Sequence, residues 1–345
     1  MARSQRKTRK MVTIQDIAAD LALSTMTVSR ALSGHPDVKD ATRQRVEARA
    51  RELNYRPNRW ARSLVTRKSN MIGVVIPEVS HVFFSEIMAG VQDTMEAAGY
   101  TLILCNSRGK PENEKREIDM LVGSRADGLV VASSHLAEDP KLFAALQREG
   151  VPFVLIDRFF PKLNCPRVRT DDVLAAKLCV EHMIKLGHRR IGMVRSRRVS
   201  PGILREEGYR EAMQAAGLEI DEQYVLDGDF TVEAGFAGGE RLMKLDRPPT
   251  AVIGVNDPCA MGVIQAVEAA GRHVPQDVSV VGVGSIESDY LPHPFLTTAS
   301  WSREEMGRTA AKMLLAVIDE NEPEEVDAVI EPVLVVRRST APPAN

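Results

Sequence analysis

The strongest constraint on the fold is a rhythm. From residue 71 onward, uninterrupted apolar runs stand at residues 72–76, 102–104, 129–131, 153–156, 191–194, 251–255 and 278–281, with helical patterns such as 86–98 and 260–270 between them. Runs this short read as strands buried on both faces, because a strand with one wet face alternates apolar with polar residues. Strand, helix, strand in regular order builds parallel sheets covered on both sides by their crossover helices. Residues 71–345 hold more of this pattern than one such sheet needs, which predicts an α/β body of two doubly wound parallel-sheet lobes. Open parallel sheets take ligands beyond the carboxyl ends of their strands, so a cleft between the lobes is the expected place for a small molecule.

Residues 13–34, TIQDIAADLALSTMTVSRALSG, break that rhythm and predict an all-α headpiece. Thr13 and Asp16 have the spacing of a reciprocal helix cap, and Ile17, Ala18 and Leu21 give the helix that follows one apolar face. Ser24 can cap a second helix, Val28 and Leu32 return to one side of it, and Gly34 supplies a stop. The outer side carries Thr25, Met26, Ser29 and Arg30, a sector able to enter a DNA major groove without disturbing the small core beneath it. Arg30 can donate two hydrogen bonds to O6 and N7 of guanine, while Met26 offers apolar contact to a thymine methyl. Taken alone, the pattern fits a helix-turn-helix or an ordinary helical hairpin. A third helix over 40–53 turns Val46, Ala50 and Leu53 inward and keeps Arg43, Arg45, Arg49 and Arg51. Three helices in so few residues bury little apolar surface, so the headpiece is expected to be marginally stable alone.

The first 70 of the 345 residues hold 16 Lys and Arg against 6 Asp and Glu, whereas the rest hold 29 against 41. A basic end on an acidic body suits a chain whose first part alone meets a polyanion, since each cation placed at a phosphate releases condensed counterions. A solvated basic tail is the plainer alternative. Residues 1–10 read as a basic, disordered arm. Cys105, Cys165, Cys179 and Cys259 lie far apart without a CxxC pair, which predicts buried free thiols; nothing calls for a metal or a cofactor. The basic start has no apolar stretch behind it, and no run approaches the roughly 18 apolar residues of a membrane span, so a cytoplasmic protein with no membrane partner is expected.

Pro57 and Asn58 can start a short helix running to Leu64. A helix of fewer than about 12 residues is marginal by itself, so this one would need DNA or a partner chain to stay folded. Leu64 would then act as a wedge in a minor groove, with Arg59 and Arg62 on flanking phosphates. Spacing alone favours a plain linker.

The segments TIQDIA, TVSRAL, ELNYRPN and ARSL within 13–64, followed in order by SNMIGVVIP, FFSEIMAGV, GYTLILCN, RADGLVV, KLGHRRIGMV, VNDPCAMG, VPQDVSVVGVG and FLTTASWSREEMG, resemble the lactose-repressor/galactose-repressor family of bacterial transcription regulators. The resemblance covers essentially the whole chain. It implies that Thr25, Met26 and Arg30 read bases and that Leu64 is the minor-groove wedge, which overturns the linker reading. It also implies a body similar to a periplasmic sugar-binding protein and a homodimer on a near-palindromic operator. The expected domains are an arm at 1–10, a headpiece at 11–56, a hinge helix and linker at 57–70, and an effector-binding and dimerisation domain at 71–345.

Within the cleft, Phe83 and Phe84 follow the first strand, where they could stack on a ring or belong to the core; the resemblance implies the site. Asp157 and Arg158 end the strand at 153–156, where polar groups line a cleft or pair with each other. Arg205 matches the family's ligand-gripping arginine and is preferred to Arg195, Arg197 and Arg198, which are expected to be solvated. Phe230 and Asn256 match ligand-contacting positions, and Asp257, beside them, could instead cap the next helix. One departure stands out. Where the family commonly carries an acidic residue that grips ligand hydroxyls, this chain reads Val281-Gly-Val-Gly-Ser285, with Gly284 at the carboxylate position. With several arginines near the cleft, this points to an effector bearing a carboxylate or phosphate.

The leading reading is a DNA-binding repressor released from its operator by a small carbohydrate-type effector; an effector favouring the bound state would make it a corepressor. A transport receptor would share the cleft but not the basic headpiece. An enzyme is disfavoured: Gly282-Val-Gly284 lacks the third glycine of a dinucleotide fingerprint, no GxxxxGK[ST], HExxH or GxSxG occurs, and His188, just before a strand, reads as structural. The tail STAPPAN has no leucine heptads for a tetramerising coiled coil.

Overall fold

The computed structural model describes residues 12–55, 68–80, 82–285 and 295–344. The arm at 1–10 and the hinge, with Asn58, Arg59, Arg62 and Leu64, lie outside the described residues. The chain divides into two compact units, Met1–Ser69 and Asn70–Asn345.

In the first unit, α1 (Ile14–Leu21), α2 (Thr25–Leu32) and α3 (Asp40–Glu52) form a three-helix bundle. The Thr13 N–H donates to Asp16 Oδ2 at 2.7 Å while the Thr13 hydroxyl accepts from the Asp16 N–H, so both orphan donors at the start of α1 are satisfied. Ser24 accepts from the Thr27 N–H at 3.0 Å. Gly34 has φ +74°, and the next N–H, of His35, reaches back to the Arg30 carbonyl at 2.9 Å, which ends α2. Ile17, Ala18, Val28, Ala31, Val38, Val46 and Ala50 make the core. Arg49 of α3 reinforces it from outside, donating to Asp20 of α1 at 2.6 and 2.9 Å.

The second unit holds two six-stranded sheets. The first runs β11 (Asp327–Ile330), β5 (Arg167–Thr170), β4 (Phe153–Ile156), β3 (Gly128–Val131), β1 (Met71–Ile76), β2 (Thr101–Asn106), with every pairing parallel. The second runs β12 (Val333–Val335), β10 (Thr297–Ser300), β9 (Ser279–Val283), β8 (Ala251–Gly254), β6 (Ile191–Arg195), β7 (Val225–Asp227), parallel except for β10 with β12. All seven apolar runs became strands. Along the sequence the chain changes sheet between β5 and β6, between β10 and β11, and between β11 and β12, so the two lobes share three crossings.

Helices cover the sheets in pairs. On the first lobe, α4 (Val82–Ala97) packs against α11 (Arg303–Ile318), with α5 (Pro111–Gly123) and α6 (Lys141–Arg148) also in this lobe. On the second, α7 (Asp172–Lys185) packs against α8 (Ser200–Ala215), and α9 (Val232–Met243) against α10 (Asp257–Ala269). Among the described residues no helix is long and apolar enough to cross a membrane. The four cysteines are buried and free, and burial pushes the Cys179 and Cys259 thiols up to about 12, so they stay protonated and inert.

Candidate functional site

A cavity of about 270 Å³ opens where the strands of both sheets end. From the first lobe it receives Pro77 and Glu78 after β1, Phe83 and Phe84 from α4, Arg108 and Gly109 after β2, and Asp157 and Arg158 after β4. The second lobe supplies Pro201 and Arg205 from α8, Phe230 and Thr231 before α9, Asn256 and Pro258 at the start of α10, and Val283 and Gly284 at the end of β9. Seven of the eight cleft residues proposed from sequence therefore line one cavity. Asp257 is not among its described lining residues: fully buried, its Oδ1 accepts from the Thr298 hydroxyl at 2.6 Å.

The helix cap expected at Asp257 falls one residue earlier. Asn256 accepts from the Cys259 N–H through Oδ1 at 3.0 Å and donates through Nδ2 to the Phe230 carbonyl at 3.0 Å, so one side chain starts α10 and tethers an aromatic wall of the cavity. Both readings of the phenylalanine pair hold. Phe83 and Phe84 are buried core residues, edge to face at 5.1 Å, and they also line the cavity. Behind them Trp301 meets Phe83 at 6.0 Å and lies under the Arg205 guanidinium at 5.8 Å.

Arg205 is held by three contacts within the protein. Its Nε donates to Asp172 Oδ1 at 2.8 Å, a second nitrogen lies 2.8 Å from the same oxygen, and the third donates to the Val255 carbonyl at 2.8 Å. Of five guanidinium hydrogens, these contacts leave two for a ligand in a fixed orientation. Asp172, 1% exposed, was missed in the sequence. Arg195 is not a solvated cation, being buried against Glu206, whereas Arg197 and Arg198 are exposed as expected; Arg195, Arg197 and Arg210 converge on Glu206 at 2.5 to 2.9 Å. Burial alone would raise the Glu206 carboxyl, but bonds from Arg197 and Arg210 and the charge of Arg195 bring it down to about 2.

Asp157 and Arg158 are neighbours at 3.7 Å, and Arg158 also donates to the Ser133 carbonyl at 3.0 Å and lies over the Phe230 ring at 5.8 Å. Burial pushes the Asp157 carboxyl up to about 6 from an ordinary value of 3.8; Arg158 opposes the rise, the charge of Asp172 adds to it and Arg205 opposes it. Between roughly pH 4 and 6 this carboxyl in the folded protein holds a proton that the unfolded chain releases, so its own contribution to stability falls as pH rises through that window and stays lower above it. Asp157→Asn is expected to remove this fall, since asparagine is isosteric, cannot ionise and suits the residue's φ of +64°. Urea midpoints at pH 4 and pH 7 check it: from the lower to the higher pH, the variant's midpoint should change more favourably than the parent's.

Glu78 and Arg108 were also missed, although their places just past β1 and β2 are where the strand-end rule puts ligand groups. Gly284, which the resemblance puts where the family commonly carries an acidic side chain, lines the cavity. Its φ of +124° explains the glycine; space does not, because an added Cβ would meet nothing within 4 Å.

On the first unit, Thr25, Met26, Ser29 and Arg30 are all exposed along α2, Met26 by 64%, while Val28 and Ala31 behind them are buried. His188 is 1% exposed and bonded through its ring nitrogens to Thr250, Ser279 and the Ala341 carbonyl, a tie between the starts of β8 and β9 and the segment after β12.

Residues 13–58 match the model of bacterial regulatory proteins of the lacI family, and residues 69–337 match that of periplasmic binding proteins and the sugar-binding domain of the LacI family. The chain belongs to the LacI family. It is 34% identical to the HTH-type transcriptional repressor CytR of Escherichia coli K12 over 336 residues, 97% of this chain and 98% of that one. Among solved structures, the Lac repressor dimer bound to operator and an anti-inducer superposes with a TM-score of 0.85 at 26% identity, covering 96% of this chain and 100% of that one. A transcriptional regulator CelR–cellobiose complex gives 0.71 at 30% identity, covering 95% and 99%. These relatives are regulators, not enzymes, and this LacI-family chain is a DNA-binding transcription regulator with a sugar-binding-type body.

Proposed function

We propose that the protein is a cytoplasmic homodimeric repressor that leaves a near-palindromic operator when a small carbohydrate derivative closes the cleft between its lobes. The observation that carries this reading is the pairing, in one chain, of an exposed polar face on α2 with a cavity built from the strand ends of both lobes. Closure of the lobes changes the spacing of the two hinges in the dimer, and the headpieces then lose simultaneous access to their half-sites. Arg30 reads a guanine on this account. Arg30→Ala is expected to cost about 1–3 kcal/mol per half-site and to relax selection at one base pair in it, as measured by binding to operator variants at fixed salt.

Support for the effector class comes from the lining. A cavity of about 270 Å³ suits a single ring with substituents, below the roughly 300–1,000 Å³ of sites for drug-sized ligands. Asp157 and the two remaining Arg205 donors can meet ring hydroxyls. Gly284 withholds a carboxylate from one wall, while Arg108, exposed at the rim without an ion-pair partner among the described residues, offers a cation. We therefore propose an acidic or phosphorylated sugar. The test is DNA selected from a random pool by the purified dimer, then titrated with neutral sugars, sugar acids and sugar phosphates. Release by an acidic compound and not by its neutral parent supports the reading, equal potency of the two counts against the effector class, and tightening on the DNA makes the protein a corepressor-dependent regulator.

A further inference from the structure

Gly284 and Ser285, at the end of β9 in the second lobe, are consecutive residues in the left-handed region, with φ of +124° and +47°. For serine that conformation is costly and persists only where surrounding bonds hold it. Within the lobe their N–H groups donate to the Ala299 carbonyl at 2.8 Å and the Thr298 hydroxyl at 3.3 Å, and from outside it Arg303 Nη1 donates to the carbonyl oxygens of both residues, that of Ser285 at 2.8 Å. Arg303 does not belong to that lobe. It is the first residue of α11, which packs on the first sheet and on α4, and its Nε donates to Glu86 Oε2 of α4 at 2.7 Å. Only Trp301 and Ser302 separate it from β10, so it stands just past one of the three crossings between lobes.

We propose that Arg303 is a positioning residue that latches the lobes together: anchored on Glu86 in the first lobe, it grips the β9 end in the second, beside the wall that Gly284 gives the cavity. A hinge rotation that separates the lobes must break charge-assisted hydrogen bonds made by an arginine that is only 9% exposed, where such bonds are stronger than in water. The latch also gives Gly284 a second role, since its backbone is turned to feed a carbonyl to an arginine. This inference concerns how the lobes are held and is independent of the chemical class of effector.

The test is the distance between lobes in the ligand-free, full-length dimer. Cysteines introduced by Glu149→Cys in the first lobe and Ala237→Cys in the second, both exposed positions, take spin labels, while the four native thiols are buried. Labelled protein exchanged into an excess of unlabelled dimer leaves one pair per molecule for pulsed electron resonance. Arg303→Met is expected to broaden the distance distribution or shift its mean by more than about 2 Å, a displacement of the size that marks a domain rearrangement. Arg303→Lys should restore part of the parent distribution, and Glu86→Ala should move it in the same direction by less. A parent-like distribution in folded Arg303→Met overturns the latch. Should that variant fail to fold, Glu86→Ala decides: a parent-like distribution there overturns the latch, and a shift supports it.

Discussion

Arg205→Met is expected to destabilise the body by about 3–5 kcal/mol, because it strands a buried carboxylate. Asp172 is 1% exposed, its Oδ1 takes two contacts from Arg205, and its Oδ2 has no partner among the described residues. Without the guanidinium, Asp172 must either stay charged in an apolar interior or take up a proton, and both are costly at pH 7. The Val255 carbonyl loses its 2.8 Å donor at the same time. Combining Arg205→Met with Asp172→Leu is expected to recover most of the loss, since removing both charges of a buried pair is often close to neutral. Urea unfolding of the two single variants and the double variant gives the coupling. A loss below about 1 kcal/mol in Arg205→Met would show that the pair does not hold the junction of α7, α8 and β8. Under the proposed function, effector binding should be lost in both variants that lack Arg205, while stability should be recovered in the double variant alone.

The second large effect is expected at the crossing of α4 and α11. A Cβ added to Gly90 would stand 2.0 Å from the Glu304 carbonyl oxygen, and one added to Gly307 would stand 2.0 Å from that of Ile87. The obstacles are backbone atoms, so no side chain can swing away and the helices must separate. Overpacking of this kind costs about 1–3 kcal/mol and occasionally more, and Gly90→Val should reach about 3 kcal/mol or above. The consequence extends to function, because α4 carries Phe83, Phe84 and Glu86 and α11 carries Arg303. Gly123→Ala serves as the control. This helical glycine has nothing within 4 Å of an added Cβ, and the change should be neutral or stabilising by up to about 1 kcal/mol. Denaturant midpoints that fell equally in both variants would refute the close-crossing account.

Much of this molecule was legible in the sequence, for reasons that differ from element to element. The reciprocal cap of Thr13 and Asp16 was readable because it closes over three residues, and the face of Thr25, Met26, Ser29 and Arg30 because one helical period places it. β1, β3, β4 and β8 announced themselves as central strands buried on both faces. Five strands did not. β5 reads Arg-Val-Arg-Thr, β10 reads Thr-Thr-Ala-Ser, and β7, β11 and β12 are sheet-edge strands of three or four residues. Their pairing is specified by neighbours from distant sequence, as when the two arginines of β5 bind Asp327 of β11 at 2.8 and 2.9 Å across about 160 residues.

The cleft divides in the same way. The strand-end pattern of the sequence placed Asp157, and the family resemblance placed Phe83, Arg205, Phe230 and Asn256, in a cleft, and all five line one cavity. Only the tertiary structure decided what each is bonded to. Asp172, 33 residues from Arg205, orients that arginine, the helix cap fell to Asn256, and Arg303 meets Glu86 across 217 residues. Capping and periodicity act within a few turns of chain and leave a trace in spacing. A buried ion pair is made by crossovers that bring remote segments together, and no local pattern of residues records which carboxylate a given arginine will meet.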